Sequence, residues 1–208
     1  MSAAGGVAGI VLVAGKSERM VGAVPKQLLR FGDLTMAALV VATAEASQLD
    51  RVVVVTGRES SAVRKSLVPG RAMVVDNPDY ERGNVTSLLR GVAAAGDPDA
   101  IVLLLGDMPG VTTDVVNRFV ATWRRSAPWA AVAAYADGVP KHPFMLSEHA
   151  LTSLPVSTGS KALWTHLVEA PPEPVTVVSF DRPAPVDVDT PAEYQAALDE
   201  LGLLRRSE

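Results

Sequence analysis

Four short, continuously apolar runs constrain the fold of this 208-residue chain more than any other feature of its sequence. They are Ile10–Ala14, Val52–Thr56, Ala72–Val75 and Ile101–Leu105. A strand that is apolar at every position is typical of burial on both faces, as in a parallel sheet. Ligands of such sheets bind where the strands end at their carboxyl termini. The sequence therefore predicts a parallel sheet with a binding site along that edge.

Helical patterns separate these runs. Apolar residues recur at helical spacing from Val85 to Val92 and from Val115 to Trp123. Thr190 and Glu193, with Pro191 between them, form a capping box that predicts a helix continuing through Leu201. Strands alternating with helices predict an α/β fold of three layers, α/β/α, around a mostly parallel sheet. We expect one domain over residues 1–208.

Composition narrows the classes of partner. The net charge is −4, which disfavours non-specific binding to nucleic acid. The chain has no cysteine, which excludes disulfides, thiolate nucleophiles and Cys-bound zinc. No apolar run approaches the roughly 20 residues of a membrane span, and the N-terminal run lacks a preceding cation of the kind a signal peptide carries. We therefore expect a cytoplasmic protein that contacts no nucleic acid and no membrane.

A glycine-rich, basic loop follows the first apolar run. Gly15, Lys16, Ser17 and Arg19 come directly after it, and Lys26 lies a few residues further on. Glycine lets backbone N–H groups approach phosphate oxygens, and Lys and Arg offset their charge. The loop is not a Walker A motif, because position 10 is Ile where that motif requires Gly. We interpret it as a polyphosphate site; the alternative is a surface turn with solvated cations.

Acidic residues follow two other predicted strands. Asp107 follows Ile101–Leu105 after a single glycine, Gly106. Asp187 and Asp189 lie in a predicted short strand, Val186–Asp189, ahead of the capped helix. A hard cation such as Mg²⁺ is typically held by one or two carboxylates together with substrate phosphates. Asp107 and Asp189 would form such a site if they lie side by side. The alternatives are a turn role for Asp107 and helix N-terminal charge for Asp189, and the sequence leaves open whether Asp187 or Asp189 is the second ligand.

Two further segments carry candidate binding groups. Asn77 opens a loop before the helix that starts near Val85, and the hydroxyls of Thr86 and Ser87 in its first turn are candidates for binding a nucleobase, with capping as the alternative. Lys141 and His142 begin the stretch from Pro140 to Val188, whose prolines indicate an irregular insertion or an edge element. A histidine that lies between prolines, as His142 does, commonly has a structural role, which is the alternative here.

Together these motifs resemble the MobA-like NTP transferases, and within them the molybdenum cofactor cytidylyltransferases. The resemblance runs from about Gly9 to Leu198 and rests on five segments in the family's order. These are Leu12–Met20 with Lys26, Asn77–Ser87, Gly106–Pro109, His142–Pro143 and Asp187–Pro191. The chain departs from the family at Val21, where the family has Gly, at Lys141, where it has Gly before His-Pro, and at residues 159–162, which only loosely match its later glycine motif.

The resemblance implies a Rossmann-like fold of the nucleotide-diphospho-sugar transferase type and transfer of CMP from CTP to molybdenum-bound molybdopterin. It implies catalytic roles for Arg19, Lys26 and Asp107, Mg²⁺ bound by Asp107 and Asp189, and an acceptor side at Lys141 and His142. It also implies a set of nucleotide-binding residues: Leu12, Ala14, Gly15, Lys16, Ser17, Asn77, Thr86, Ser87 and Gly106.

The nucleotide, the acceptor and the catalytic role itself each have an alternative. Ala14 stands where guanylyl members have Gly, which favours CTP over GTP. The departures on the acceptor side keep a sugar phosphate open as an alternative acceptor. A non-catalytic carrier of molybdenum cofactor, which would deliver it to a recipient molybdoenzyme, is the remaining alternative.

Overall fold

The computed structural model describes residues 6–14, 24–154 and 162–203. Its helices are α1 (Met36–Ala46), α2 (Ser60–Ser66), α3 (Asn84–Ala95), α4 (Thr113–Ser126), α5 (Glu148–Thr152), α6 (Ala162–Trp164) and α7 (Pro191–Glu200). Its strands are β1 (Val7–Val13), β2 (Arg30–Phe31), β3 (Leu34–Thr35), β4 (Arg51–Thr56), β5 (Met73–Asp76), β6 (Ala100–Leu105), β7 (Ala130–Ala134), β8 (Pro140–Ser147) and β9 (Val175–Ser179). Within these ranges no helix is both long enough and apolar enough to cross a membrane.

Seven of the strands form one sheet in the order β5-β4-β1-β6-β8-β7-β9. Strand β1 lies between β4 and β6 and is parallel to both, and β5 adds in parallel outside β4. Strand β8 is antiparallel to β6 and β7, and β9 is parallel to β7. The mostly parallel sheet predicted from the apolar runs is confirmed.

Side chains alternate between two cores along β1. Val7, Val11 and Val13 pack into the core beneath α1, α2 and α4, whereas Ile10 and Leu12 pack into the core beneath α3, α5 and α6. Every residue of β1 is buried, which explains why its sequence is apolar throughout rather than at alternate positions. Helices on both faces of the sheet give the predicted three-layer α/β/α fold.

The stretch Pro140–Val188 holds the edge element that its prolines predicted, because β9 lies at the edge of the sheet. The same stretch also contains β8, which lies inside the sheet despite its prolines. The sheet accommodates them through a register shift, because Val132 pairs with Phe144 while Ala133 pairs with Lys141. His142 and Pro143 therefore lie in a bulge, which is how a proline enters an interior strand.

The predicted strand Val186–Asp189 is extended backbone but does not join the sheet. Among the described residues, the backbone of this segment makes one hydrogen bond to the turn after β6, from the N–H of Val188 to the carbonyl of Asp107 at 2.9 Å. Pro183 and Pro185 precede it and have no N–H to donate to a neighbouring strand. The helix that follows is as predicted: Thr190 and Glu193 form a full capping box, and α7 ends one residue before Leu201.

Candidate active site

One edge of the sheet gathers most of the candidate residues. Strands β1, β4, β5 and β6 are parallel and all end there, so that Ala14, Asn77 and Asp107 follow their last residues at the same edge. Strand β8 runs the other way, so its first residues, including Lys141 and His142, lie at this edge as well. The carboxyl-end rule for ligand sites in open α/β sheets thus applies to this protein.

Three carboxylates meet beyond β6, and we call them the acid cluster: Asp107, Asp187 and Asp189. One carboxylate oxygen from each lies within 4.8 Å of the others. The bond from Val188 to Asp107 holds the extended segment against the turn after β6, and since side chains alternate along extended backbone, Asp187 and Asp189 point to the same side.

Lys26 reaches the acid cluster from a short 3₁₀ turn, Lys26–Leu28. Its Nζ lies 2.7 Å from Oδ2 of Asp107 and 2.6 Å from Oδ1 of Asp189. Burial alone lowers the pKa of Lys26, but the two carboxylates outweigh it and raise the pKa above its ordinary value. The amine is therefore a charged group held within the acid cluster.

The Asp187 carboxyl is perturbed by its surroundings, although the residue keeps part of its surface exposed. Desolvation, followed by repulsion from Asp107 and Asp189, raises the pKa of Asp187 to about 7. Oδ1 of Asp107 is buried and has no hydrogen-bond partner. Three converging carboxylates, one of which also has an unsatisfied buried oxygen, fit a hard divalent cation such as Mg²⁺.

Close packing fixes the turn that carries Asp107. The N–H of Gly106 donates to the carbonyl of Leu12 at 2.8 Å. A Cβ at Gly106 would lie 2.4 Å from Cγ1 of Val13 and 2.9 Å from that carbonyl oxygen. A larger residue at position 106 would therefore displace the turn that carries Asp107 from the end of β1. The buried Ala14 directly follows β1 at this point.

Asn77, Thr86 and Ser87 lie together and bond to one another. The Asn77 side chain is buried, and its Nδ2 donates to Thr86 Oγ1 at 3.0 Å and to Ser87 Oγ at 2.9 Å. The cap position of α3 is Gly83, which has no side chain to cap the helix. The Thr86 hydroxyl donates to the Gly83 carbonyl at 2.8 Å, so it does not serve as the N-cap of α3. The Thr86 and Ser87 hydroxyls tie the loop after β5 to the first turn of α3, and a cavity of about 310 Å³ lies beside Asn77 and Thr86.

A larger cavity of about 630 Å³ lies against the acid cluster, and we call it the Trp164 cavity. Its apolar wall consists of Leu105, Met108, Trp164 and Pro185. Lys141, His142, Glu169 and Asp187 also line it. The Lys141 amine is paired with Asp137 at 2.6 Å.

The sequence-predicted residues divide into those that the structure places and those that it does not describe. Gly15, Lys16, Ser17 and Arg19 lie outside the described residues. Sequence reasoning did not single out Trp164 or Glu169, and it favoured Asp189 over Asp187. The alternation of acid and valine from Val186 to Asp189 is the signal that places Asp187 beside Asp189, since Val188 is fully buried.

The fold and the site define an α/β nucleotidyltransferase. The family model for the MobA-like NTP transferase domain matches residues 9–183, and the chain belongs to that family. The resemblance found from the motifs is thus confirmed.

Solved structures of one mycobacterial protein are similar to this chain over nearly its whole length. Rv0371c from Mycobacterium tuberculosis H37Rv has a crystal structure that is 33% identical, with a TM-score of 0.85 over 96% of this chain and 100% of that one. A structure of Rv0371c in complex with manganese is 30% identical, with a TM-score of 0.78 over 93% of this chain and 98% of that one.

Another relative is named as an oxidoreductase rather than as a transferase. Nicotine blue oxidoreductase of Paenarthrobacter nicotinovorans is 34% identical over 120 residues, which are 57% of each chain. The match thus spans little more than half the length of that relative.

Proposed function

We propose that the protein transfers CMP from CTP to the terminal phosphate of molybdenum-bound molybdopterin and releases pyrophosphate. The observation that carries the proposal is the acid cluster, with Lys26 bonded into it, beside a cavity of about 630 Å³ that Asp187 lines. The proposal retains the single domain and the cytoplasmic location that the sequence predicts. Delivery of the product to a recipient molybdoenzyme would follow release.

The reaction forms one bond and breaks one. A phosphate oxygen of the acceptor attacks the α-phosphorus of CTP, and the bond from that phosphorus to the bridging oxygen of the β-phosphate breaks, so that pyrophosphate carries away the electron pair. A phosphate monoester has a second pKa near ~6 and is largely a dianion at neutral pH. It therefore needs no general base, and His142, whose pKa burial lowers to about 3, need not act as one.

Catalysis then rests on positioning and charge. Asp107, Asp187 and Asp189 would hold Mg²⁺, which would offset charge on the triphosphate when bound. The similar protein Rv0371c has a structure in complex with manganese, which supports a divalent ion as part of the proposal. Lys26 and Arg19 would neutralise charge that develops on the α-phosphate and the departing pyrophosphate.

The nucleotide half of the proposal follows the sequence resemblance. Backbone N–H groups at Gly15, Lys16 and Ser17 would bind the β- and γ-phosphates. Leu12, Ala14 and Gly106 would lie beside the nucleotide, and the loop tied by Asn77, Thr86 and Ser87 would contact the base. Ala14, buried at the end of β1, favours CTP over GTP.

The test is pyrophosphate release by purified protein with Mg²⁺ and CTP, GTP or ATP, with and without molybdenum-bound molybdopterin. Release that requires the acceptor and is fastest with CTP supports the proposal. We expect Asp107→Asn to lower the rate by on the order of 10²–10³, because it removes a charge at the centre of the site. Asp199→Asn, an exposed acid on α7, is the matched control. A near-normal rate in Asp107→Asn would remove Asp107 from the mechanism.

A second candidate comes from the relative named nicotine blue oxidoreductase. Its similarity favours an oxidoreductase as the alternative. The acid cluster argues for transfer, because hydride transfer does not require three converging carboxylates. Absence of pyrophosphate release with every acceptor, including glucose 1-phosphate, would shift the weight to this candidate or to a carrier role.

A further inference from the structure

Helix α7 supplies hydrogen-bond acceptors to the extended segment that carries two residues of the acid cluster. The N–H of Val186 donates to Oε2 of Glu200 at 3.2 Å. The N–H of Asp189 donates to Oε2 of Glu193 at 2.9 Å. Because this segment does not join the sheet, the two side-chain carboxylates take the place of a neighbouring strand. Asp187 lies between the two points at which α7 holds the backbone.

Glu200 also connects this segment to the loop that carries Asp107. Nη2 of Arg182 donates to Oε1 of Glu200 at 3.5 Å and to the carbonyl of Gly110 at 3.3 Å. Nη1 of Arg182 donates to Oγ1 of Thr112 at 3.4 Å. Gly110 and Thr112 follow Asp107 in the loop between β6 and α4. The pair of Arg182 and Glu200 therefore joins the two segments whose carboxylates converge.

The surroundings of this pair limit its movement. A Cβ at Gly110 would lie 2.6 Å from Oε1 of Glu200, so a side chain at position 110 would displace the carboxylate. The backbone of Arg182 is held as well, because its carbonyl accepts a hydrogen bond from the N–H of Ala136 at 3.0 Å, just beyond β7. The side chains of Arg182 and Glu200 are thus held in place although they are 34% and 26% exposed.

The stability of α7 does not explain why its last residue is acidic. Glu200 ends α7, and the helix dipole disfavours a negative charge at the C-terminal end of a helix. The last turn of α7 has no basic residue that would offset this charge. Glu193 differs, because its place in the capping box is explained by the helix itself. The contacts of Glu200 with Val186 and Arg182 account for an acid at this position better than the helix does.

Glu200 acts through the backbone and not on a metal ion directly. Among the described residues, the carboxylates that converge are those of the acid cluster, and Glu200 is not one of them. Groups that orient metal ligands from outside the ligand set are typically worth on the order of 10- to 100-fold in metal affinity. A residue that fixes the ligand segment can therefore be tested by the binding of a metal alone.

We infer that Glu200, supported by Arg182, is a positioning residue that holds Asp187 and Asp189 at a fixed distance from Asp107, so that the acid cluster can bind a divalent cation. The inference rests on the proposed function, which places that cation at the acid cluster. It makes the affinity for the metal depend on the last residue of α7, which lies outside the acid cluster.

Calorimetric titration of the metal-free protein with Mn²⁺ tests this role without requiring turnover. We expect Glu200→Ala to weaken Mn²⁺ binding on the order of tenfold, because Val186 and Arg182 both lose their acceptor. Glu200→Gln keeps an oxygen that accepts the Val186 N–H, so it should recover most of the affinity. Arg182→Met leaves that bond intact and should cost about two- to fivefold. The double variant of Glu200→Ala and Arg182→Met should lose less than the product of the two separate losses, because the residues act as one unit.

Two controls separate positioning from folding. Asp199→Ala removes the neighbouring exposed carboxylate of α7 and should bind Mn²⁺ like the wild type. Val120→Ala removes buried side-chain volume from α4, so it should lower stability and leave the Mn²⁺ affinity unchanged. Thermal unfolding in EDTA measures the stability of each variant. If Glu200→Ala does not fold, Arg182→Met gives the same test through the partner of Glu200.

The outcomes distinguish the positioning role from the proposed reaction. Absence of Mn²⁺ binding to the wild type, wild-type affinity in Glu200→Ala, or binding by Glu200→Gln as weak as that by Glu200→Ala would each overturn the positioning role. Pyrophosphate release by a protein whose Mn²⁺ affinity does not depend on Glu200 would leave nucleotidyl transfer standing without that role. Mn²⁺ binding that depends on Glu200, without pyrophosphate release from any acceptor, would support the positioning role and overturn the proposed reaction.

Discussion

Lys26 should stabilise the metal-free protein by neutralising the acid cluster. Its side chain is only 7% exposed, and the side chains of Asp107 and Asp189 that it pairs with are 24% and 20% exposed. Lys26→Met keeps the length and apolar stem of the side chain but removes its charge. The variant therefore leaves three converging carboxylates without that counter-charge.

The expected loss of stability follows from the burial of the pair. Removing one partner of a buried ion pair costs about 3–5 kcal/mol, because it leaves an uncompensated buried charge. Since Asp107 and Asp189 keep part of their surface in water, we expect the lower end, about 3 kcal/mol. At roughly 2–4 °C per kcal/mol for a chain of this size, Tm should fall by about 6–12 °C.

A divalent ion should reverse this loss. In the wild-type protein the ion competes with Lys26 for the carboxylates of Asp107 and Asp189, whereas Lys26→Met removes that competing amine. At 100 times its Kd, Mn²⁺ should restore about 2.7 kcal/mol to the variant, and the Kd should be lower than in the wild type.

The assay is thermal unfolding with EDTA and across a Mn²⁺ titration, with Lys65→Met, an exposed lysine on α2, as the matched control. A fall in Tm no larger than that of Lys65→Met, with the same response to Mn²⁺ as the wild type, would refute the reasoning.

Three other perturbations have defined outcomes. The surroundings of Asp187 raise its pKa from 3.8 to about 7, so the metal-free protein should lose stability as the pH rises through that range. Mn²⁺ affinity, measured by calorimetry, should rise towards about pH 7 and then level off. A Mn²⁺ affinity that does not change with pH would contradict this. Gly106→Ala should cost about 1–3 kcal/mol in denaturant unfolding, because its Cβ would overlap Val13, and an unchanged midpoint would count against the packing argument. Thr190→Ala breaks the capping box of α7 and should cost about 0.5–2 kcal/mol by the same measurement, whereas Thr152→Ala at the end of α5 should cost less.

The parts of the fold that the sequence predicts are those where burial alone decides the residue types. β1, β4 and β6 are covered by helices on both faces, so their sequences are apolar at nearly every position. β7 is Ala130–Ala134, and four of its five residues are alanine, which gives no strand preference. β8 contains two prolines, and the bulge that accommodates Pro143 depends on pairing with β7, which is not visible locally.

The site could be predicted in part for the same reason. The ends of parallel strands meet at one edge, so Asp107 was expected near the loop that follows β1, and the structure brings Lys26 and Asp189 to it. Their catalytic roles remain predictions. Trp164 was not predicted, because it packs near Phe144 of β8, a contact between residues that are distant in sequence.

The direction of β8 explains why some site residues could be predicted from the sequence more readily than others. On one side, the groups at the edge follow the carboxyl ends of parallel strands, where a loop after an apolar run marks the site. On the other side, β8 is antiparallel, so Lys141 and His142 reach the same edge from the start of a strand. Apart from the His142–Pro143 motif, such positions have no local pattern that marks a site, since a proline-rich strand start resembles an ordinary loop.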